Sequence, residues 1–192
     1  MRKISLFLSV ALFATLSLVL SGCGDDEASS PSLTLNIDGT NIKVTTVTGL
    51  LIFSDESGHE ARTLNLTGLT KNGDYLSIQV TNWDFQNPPA NGLVVKKYYN
   101  LFDGEEGIAS ADCLDIGDGV SLCDAGVVTF IPDAEDEIYT SAFDEDVEGV
   151  IEITASKGKK VSGTFDVILT GFSNETDIHA KGTFKNVGYR IE

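Results

Sequence analysis

From Leu33 onward, apolar and polar residues alternate with a period of two along most of the chain. Leu33, Leu35 and Ile37 alternate with Thr34 and Asn36; Asp38-Gly39 follows; Ile42 and Val44 then alternate with Asn41, Lys43 and Thr45. Successive side chains of an extended strand point to opposite faces. The pattern therefore predicts two half-buried strands joined by a tight turn. Thr46 to Phe53 continues as an apolar, β-branched run, and the polar stretch from Ser54 to Glu60 predicts a loop. Two further strands are predicted over 63–69 and 75–80, around Lys71-Asn72-Gly73-Asp74, with Leu76, Ile78 and Val80 on one face. Beyond Asn87-Pro88-Pro89, residues 93–99 predict another.

The alternation is clearest in the last third. Val147, Gly149, Ile151 and Ile153 share one face. Val161, Gly163, Phe165, Val167 and Leu169 share one after the turn Lys157-Gly158-Lys159-Lys160, and Ile178, Ala180, Gly182 and Phe184 share one again, with Val187 and Tyr189 beyond. No stretch after residue 22 repeats at 3.6 residues. Roughly eight to ten short strands at this spacing predict an all-β domain, either a single antiparallel β-sandwich or a small β-barrel-like domain. Residues 103–148 interrupt the pattern with 15 acids and no lysine or arginine. Within them Val127 to Ile131 predicts a strand and the remainder a loop.

The N-terminus follows different rules. Met1-Arg2-Lys3 precedes an uncharged run from Ile4 to Leu20, and Leu20-Ser21-Gly22-Cys23 comes next. A basic start, an apolar middle and small residues at the end describe an export signal. The run is about long enough to span a bilayer, but Asp25-Asp26-Glu27 follows where a spanning anchor would carry basic residues. Leu20 to Cys23 resembles the lipobox of bacterial lipoproteins. That resemblance implies cleavage before Cys23 and a diacylglycerol on its thiol. Each buried methylene contributes roughly 0.8 kcal/mol, so two or three acyl chains hold firmly. The expected organisation is a lipoprotein signal peptide over 1–22, a lipidated acidic tether over 23–32 and an all-β domain over 33–192. The membrane, reached through the N-terminal lipid, is the first expected partner.

Charge and cysteine content narrow the picture. The formal net charge is −16; residues 1–22 hold Arg2 and Lys3 and no acid, so the remaining 170 residues sit near −18. Such a surface repels nucleic acid, which is excluded as an expected partner. A chain of this size buries a sizeable core without help from a metal. With Cys23 acylated, Cys113 and Cys123 are expected to form a disulfide, since exported proteins live where disulfides persist. Closing so short a loop contributes roughly 2–3 kcal/mol in the chain-entropy model. Two free thiols or a metal pair are the alternatives, though the only histidines, His59 and His179, are not near in sequence.

Three segments carry a family resemblance: Gly149-Val150-Ile151-Glu152-Ile153, Lys160-Val161-Ser162-Gly163-Thr164-Phe165, and Gly182-Thr183-Phe184-Lys185-Asn186-Val187-Gly188-Tyr189. They are similar to the endings of uncharacterised surface lipoproteins of Bacteroidota, which also often open with Ile-Asp-Gly, as Ile37-Asp38-Gly39 does here. Asp25-Asp26-Glu27 resembles the tag that sends such lipoproteins to the cell surface. The resemblance implies an outer-membrane address and an all-β domain. It carries no catalytic residues.

Candidate chemistry is sparse. Asp112, Asp115 and Asp118 surround Gly117 and Gly119, and acid-plus-glycine loops can ligate calcium. The EF-hand spacing is absent, so a solvated acidic face is the first reading and a calcium site the alternative. Among 29 acids nothing selects a glycosidase pair. Neither a nucleophile elbow nor a phosphate loop occurs. His59 in its predicted loop and His179 on a polar strand face read as exposed and structurally idle. The aromatics on either side of the proline segment, Trp83, Phe85, Tyr98 and Tyr99, read first as alternating core residues; Trp83 and Tyr98 are the candidates for a surface contact with a protein or glycan ligand. The sequence thus predicts a non-enzymatic binding or accessory module without a cofactor, calcium excepted. A carboxylate-based hydrolase of envelope or extracellular glycan, and a structural envelope protein, are the alternatives.

Overall fold

A computed structural model describes residues 30–56, 58–99, 113–117, 120–134, 137–141 and 149–192. Within these, twelve strands follow in order: β1 (Ser32–Ile37), β2 (Thr40–Glu56), β3 (His59–Thr70), β4 (Tyr75–Trp83), β5 (Lys97–Tyr99), β6 (Cys113–Gly117), β7 (Val120–Cys123), β8 (Ala125–Ile131), β9 (Tyr139–Thr140), β10 (Gly149–Lys157), β11 (Lys160–Gly171) and β12 (Asp177–Ile191). The helical content described is one 3₁₀ turn, Asp84–Gln86. Ten strands form one mixed sheet, and β6 and β7 form a separate hairpin. The expected all-β fold is therefore present.

The ladders of the large sheet close on themselves. β2 pairs β3, which pairs β4, then β8, β9, β11 and β12, and β12 returns to β2. The return is parallel, with Tyr189, Arg190 and Ile191 opposite Gly49, Leu50 and Leu51. This seam corrects the expectation of a purely antiparallel sheet, and its cause is arithmetic. A circuit with an odd number of strands cannot alternate direction all the way round, so one neighbouring pair must run parallel. β1 lies beside the start of β2 and pairs with both it and β12. β10 adds to the free side of β11 and carries β5 on its outer edge.

Inward-facing residues of the circuit make one core. Leu35, Leu51, Leu64, Leu66, Ile78, Val128, Phe165, Leu169 and Phe184 are all 2% exposed or less, joined by Ile151 and Ile153 from β10. The barrel interior is thus filled by side chains, as in other small barrels. Each such burial contributes roughly 1.5–3 kcal/mol. Two bulges keep the apolar face inward. On β2 the register shifts between Val44 and Thr46, so Val47 and Leu51 replace the parity of Ile42 and Val44. On β12 buried Phe184 is followed by buried Val187 and Tyr189, an odd step matched by the register shift against β11 between Val161 and Gly163. Asn186 takes φ 50° within that bulge, and its N–H donates to Ser162 Oγ at 2.9 Å.

The glycine–phenylalanine motifs of the last third acquire a reason. Gly163 lies opposite Phe184, and Gly182 opposite Phe165. A Cβ on Gly163 would overlap the Phe184 ring and the Glu152 carbonyl oxygen; one on Gly182 would overlap the Phe165 ring and the Thr34 carbonyl oxygen. Each ring thus covers the backbone that the opposite glycine leaves open. Gly163→Ala is expected to lower stability by about 1–3 kcal/mol, the usual cost of overpacking. Urea unfolding at equal slope checks this, and an unchanged midpoint would show that the ring and the Glu152 carbonyl both shift at little cost.

Three sequence expectations change. The stretch from Ser54 to Glu60 is not a loop: Asp55 pairs Glu60 and Glu56 pairs His59, with Gly58 at φ 82° in the tight turn. The strand expected over 93–99 shrinks to β5. The N–H groups of Leu93 and Val94 instead donate to Ser156 Oγ and Asn82 Oδ1. The acid-rich segment holds β6, β7 and β9 besides the predicted strand around Val127.

Candidate functional site

Along β4, Leu76, Ile78 and Val80 turn into the barrel, so Gln79 and Thr81 face out. They lie directly opposite Val127 and Ala125 of β8. These four positions floor a shallow trough on the outer wall. The hairpin of β6 and β7 forms its side. Cys113 and Cys123 are register partners at the open end of that hairpin, with their sulfurs at bonding distance, 2.18 Å, as a disulfide. Ser121, Leu122 and Cys123 line the trough together with Trp83, and the cavity measures about 260 Å³.

Trp83 fixes the hairpin to the barrel. It packs with Leu122 of β7 and with Ala61, its register partner on β3, in a second apolar cluster bordered by Phe85 and Ile116. Its indole N–H donates to the Cys123 carbonyl oxygen at 3.0 Å. The surface reading of Trp83 and Tyr98 is therefore corrected in favour of the core reading. Trp83 is 7% exposed and Tyr98 only 1%. Trp83 is covered by the hairpin, and Tyr98 points into the core from β5 with its hydroxyl donating to the Val94 carbonyl oxygen at 2.7 Å.

Behind the trough, Asp124 gathers a buried polar knot. It follows Cys123 at the hairpin's exit and is 3% exposed. Its Oδ1 accepts the Trp83 backbone N–H at 2.8 Å, and its Oδ2 accepts Asn82 Nδ2 and lies 2.6 Å from Lys96 Nζ. Lys96 Nζ also sits 5.2 Å from the centre of the Tyr98 ring, a cation–π arrangement. Burial pushes the Asp124 carboxyl above its usual range, more strongly than Lys96, the Trp83 N–H and Asn82 pull it down. The knot ties the end of β4, the start of β8 and the segment leading into β5. Its carboxylate is occupied by three donors, an arrangement suited to holding the wall in place.

Neither histidine is idle. His59 Nδ1 lies 3.1 Å from Asp84 Oδ1, and its ring meets Phe85 edge-on at 6.3 Å. Desolvation works against the charged form of Asp84, but the bond from His59 and backbone donors outweigh it and lower the pKa. Arg62 beside it bonds Glu60 and the carbonyl oxygens of Pro88 and Pro89, pinning the proline segment. His179 Nε2 faces Asp166 Oδ1 at 2.5 Å across β11 and β12, and its backbone N–H donates to Asp38.

Of the candidate calcium residues, Asp115 is exposed on β6 opposite Ser121, and Asp112 and Asp118 lie outside the described residues. Among the described residues no group of three or more histidines, cysteines or acids is placed to hold a metal ion. Cys23 and the leader also lie outside the described residues. Sequence reasoning found the cysteine pair but missed Gln79, Thr81 and Ser121, which come together only when β4, β8 and the hairpin meet. It missed the Asp124–Lys96 pair for the same reason, although Asp124 stands next to a half-cystine. Comparison with protein-family models, with curated proteins and with solved structures finds no match.

Proposed function

We propose that this chain is an exported lipoprotein of the cell envelope. Cys23 carries its membrane anchor, the domain sits outside the cytoplasm, and it works as a non-enzymatic binding module whose ligand face is the trough beside the disulfide hairpin. The observation that carries this reading is the trough itself: a concave site on a filled barrel, walled by a cross-linked hairpin and backed by a fixed tryptophan. Rigid support of this kind lets a site bind without paying to order itself. The disulfide supports an oxidising compartment, and Leu20 to Cys23 followed by Asp25-Asp26-Glu27 supports a lipid anchor and surface display. A binding role is favoured over hydrolysis because Asp124, with its raised pKa, has its oxygens engaged by Lys96, Asn82 and Trp83. Glycan hydrolysis needs two free carboxyls across the bond.

Expression with the native leader tests the address. The wild-type chain should sediment with membranes and yield an N-terminal peptide beginning at acylated Cys23. Cys23→Ala should keep its leader and lose the acyl mass. An unmodified Cys23 in the mature wild-type protein would overturn the anchor.

A further inference from the structure

Building on the trough as the ligand face, we infer that it takes a neutral saccharide, one or two rings in size. Small-molecule sites for drug-sized ligands begin at roughly 300 Å³. A cavity of about 260 Å³ therefore suits something smaller, and excludes a peptide helix or a lipid chain along its length.

Chemistry narrows the class. Trp83, Leu122, Ala125 and Val127 supply apolar surface, while Gln79, Thr81 and Ser121 supply an amide and two hydroxyls. Amides and hydroxyls both donate and accept, which matches a ring whose hydroxyls do the same. The Gln79 amide and the Ser121 hydroxyl have no hydrogen-bond partner among the described residues, so both remain available to a ligand. Among the described residues no charged side chain lines the trough. An ionic ligand would find no counter-charge among the described residues that line it, and an anion would also meet the repulsion of a chain at −16. A purely apolar ligand would leave the Gln79 amide and the Ser121 hydroxyl without partners. The edge of Trp83 that closes the trough is held in one orientation by the bond from its Nε1 to the Cys123 carbonyl oxygen.

Trp83 is the only tryptophan of the chain, so tryptophan emission comes from a residue that lines the trough. The mature acylated protein, in a detergent without a sugar headgroup, should be titrated with glucose, N-acetylglucosamine, maltose, cellobiose and N,N′-diacetylchitobiose. Glucuronic acid, glucosamine and cyclohexanol complete the panel. A saturable change with at least one neutral saccharide is expected. Gln79→Ala with Ser121→Ala should weaken it at least tenfold while leaving the unfolding midpoint unchanged. Saturation by a charged sugar or by cyclohexanol, with the neutral saccharides silent, would overturn the ligand class and leave the trough as a binding site. A panel that leaves Trp83 emission unmoved throughout would overturn the saccharide inference and the trough as the ligand face together, leaving the lipid anchor to its own test.

Discussion

Lys96→Met is expected to cost about 3 kcal/mol of stability, the largest effect of any single substitution considered. The lysine side chain is 19% exposed and Asp124's is 1%, so methionine leaves a carboxylate buried without its cation. Removing one partner of a buried pair typically costs about 3–5 kcal/mol, and partial exposure of the lysine places the effect at the lower end. For a domain this size the melting temperature should fall by roughly 6–12 °C. Replacing both partners, Lys96→Met with Asp124→Leu, should restore much of the loss, because no stranded charge remains. The pH dependence has a definite sign. A carboxyl whose folded pKa is raised imposes no penalty below its unfolded value, 3.8, and its full penalty above the folded value. Removing Lys96 removes a downward pull on that pKa, so the deficit of Lys96→Met should shrink as pH falls from 7 towards 4. Chemical denaturation at the two pH values measures this. A loss below about 1 kcal/mol, or one that does not vary with pH, would mean that water reaches Asp124 and screens it.

Opening the disulfide should come next in size. Cys113 and Cys123 are ten positions apart, for which the chain-entropy model gives roughly 2–3 kcal/mol. The consequence is also local. β6 and β7 bond to each other and are joined to the barrel through the cluster around Trp83. In Cys113→Ser with Cys123→Ser, or after dithiothreitol, the hairpin should release the indole and Trp83 emission should shift to the red. That shift should precede global unfolding, because the barrel core lies on the other side of β4. Emission and urea unfolding, followed with and without reductant, decide the matter. Identical Trp83 spectra in both states would mean that the apolar contacts of Leu122 hold the hairpin unaided.

Much of the barrel could be read in advance because its strands are half-buried, which writes burial directly into the sequence at period two. Val161 to Leu169 and Leu76 to Val80 are such cases, and every predicted inward residue of those two strands is buried. The hairpin at Asp38-Gly39 was legible from its turn residues, both of which take positive φ. Reading failed where burial comes from distant covering. Trp83 occupies an outward position on β4 and is buried only because Leu122 folds over it. The β6 segment is short and set within an acid-rich run, so its alternation of Leu114 and Ile116 with Asp115 did not stand out. Ser54 to Glu60 is polar because it lies at an exposed end of two paired strands, and polarity alone resembles a loop. In the trough, the cysteines announced the hairpin, whereas nothing local announces that Gln79 and Val127 face each other.

The parallel seam bears on how the chain reaches this state. Tyr189, Arg190 and Ile191 close the circuit against Gly49, Leu50 and Leu51, partners separated by nearly the whole domain. Pairings of such long range form slowly, because the entropy of closing the loop is lost before the contacts repay it. A growing chain therefore completes most of its antiparallel ladders while the side of β2 meant for β12 is still bare. Unpaired strand edges are where neighbouring chains join. The hazardous interval in making this protein is the one before Ile191 arrives, and it is longest for residues 49–51.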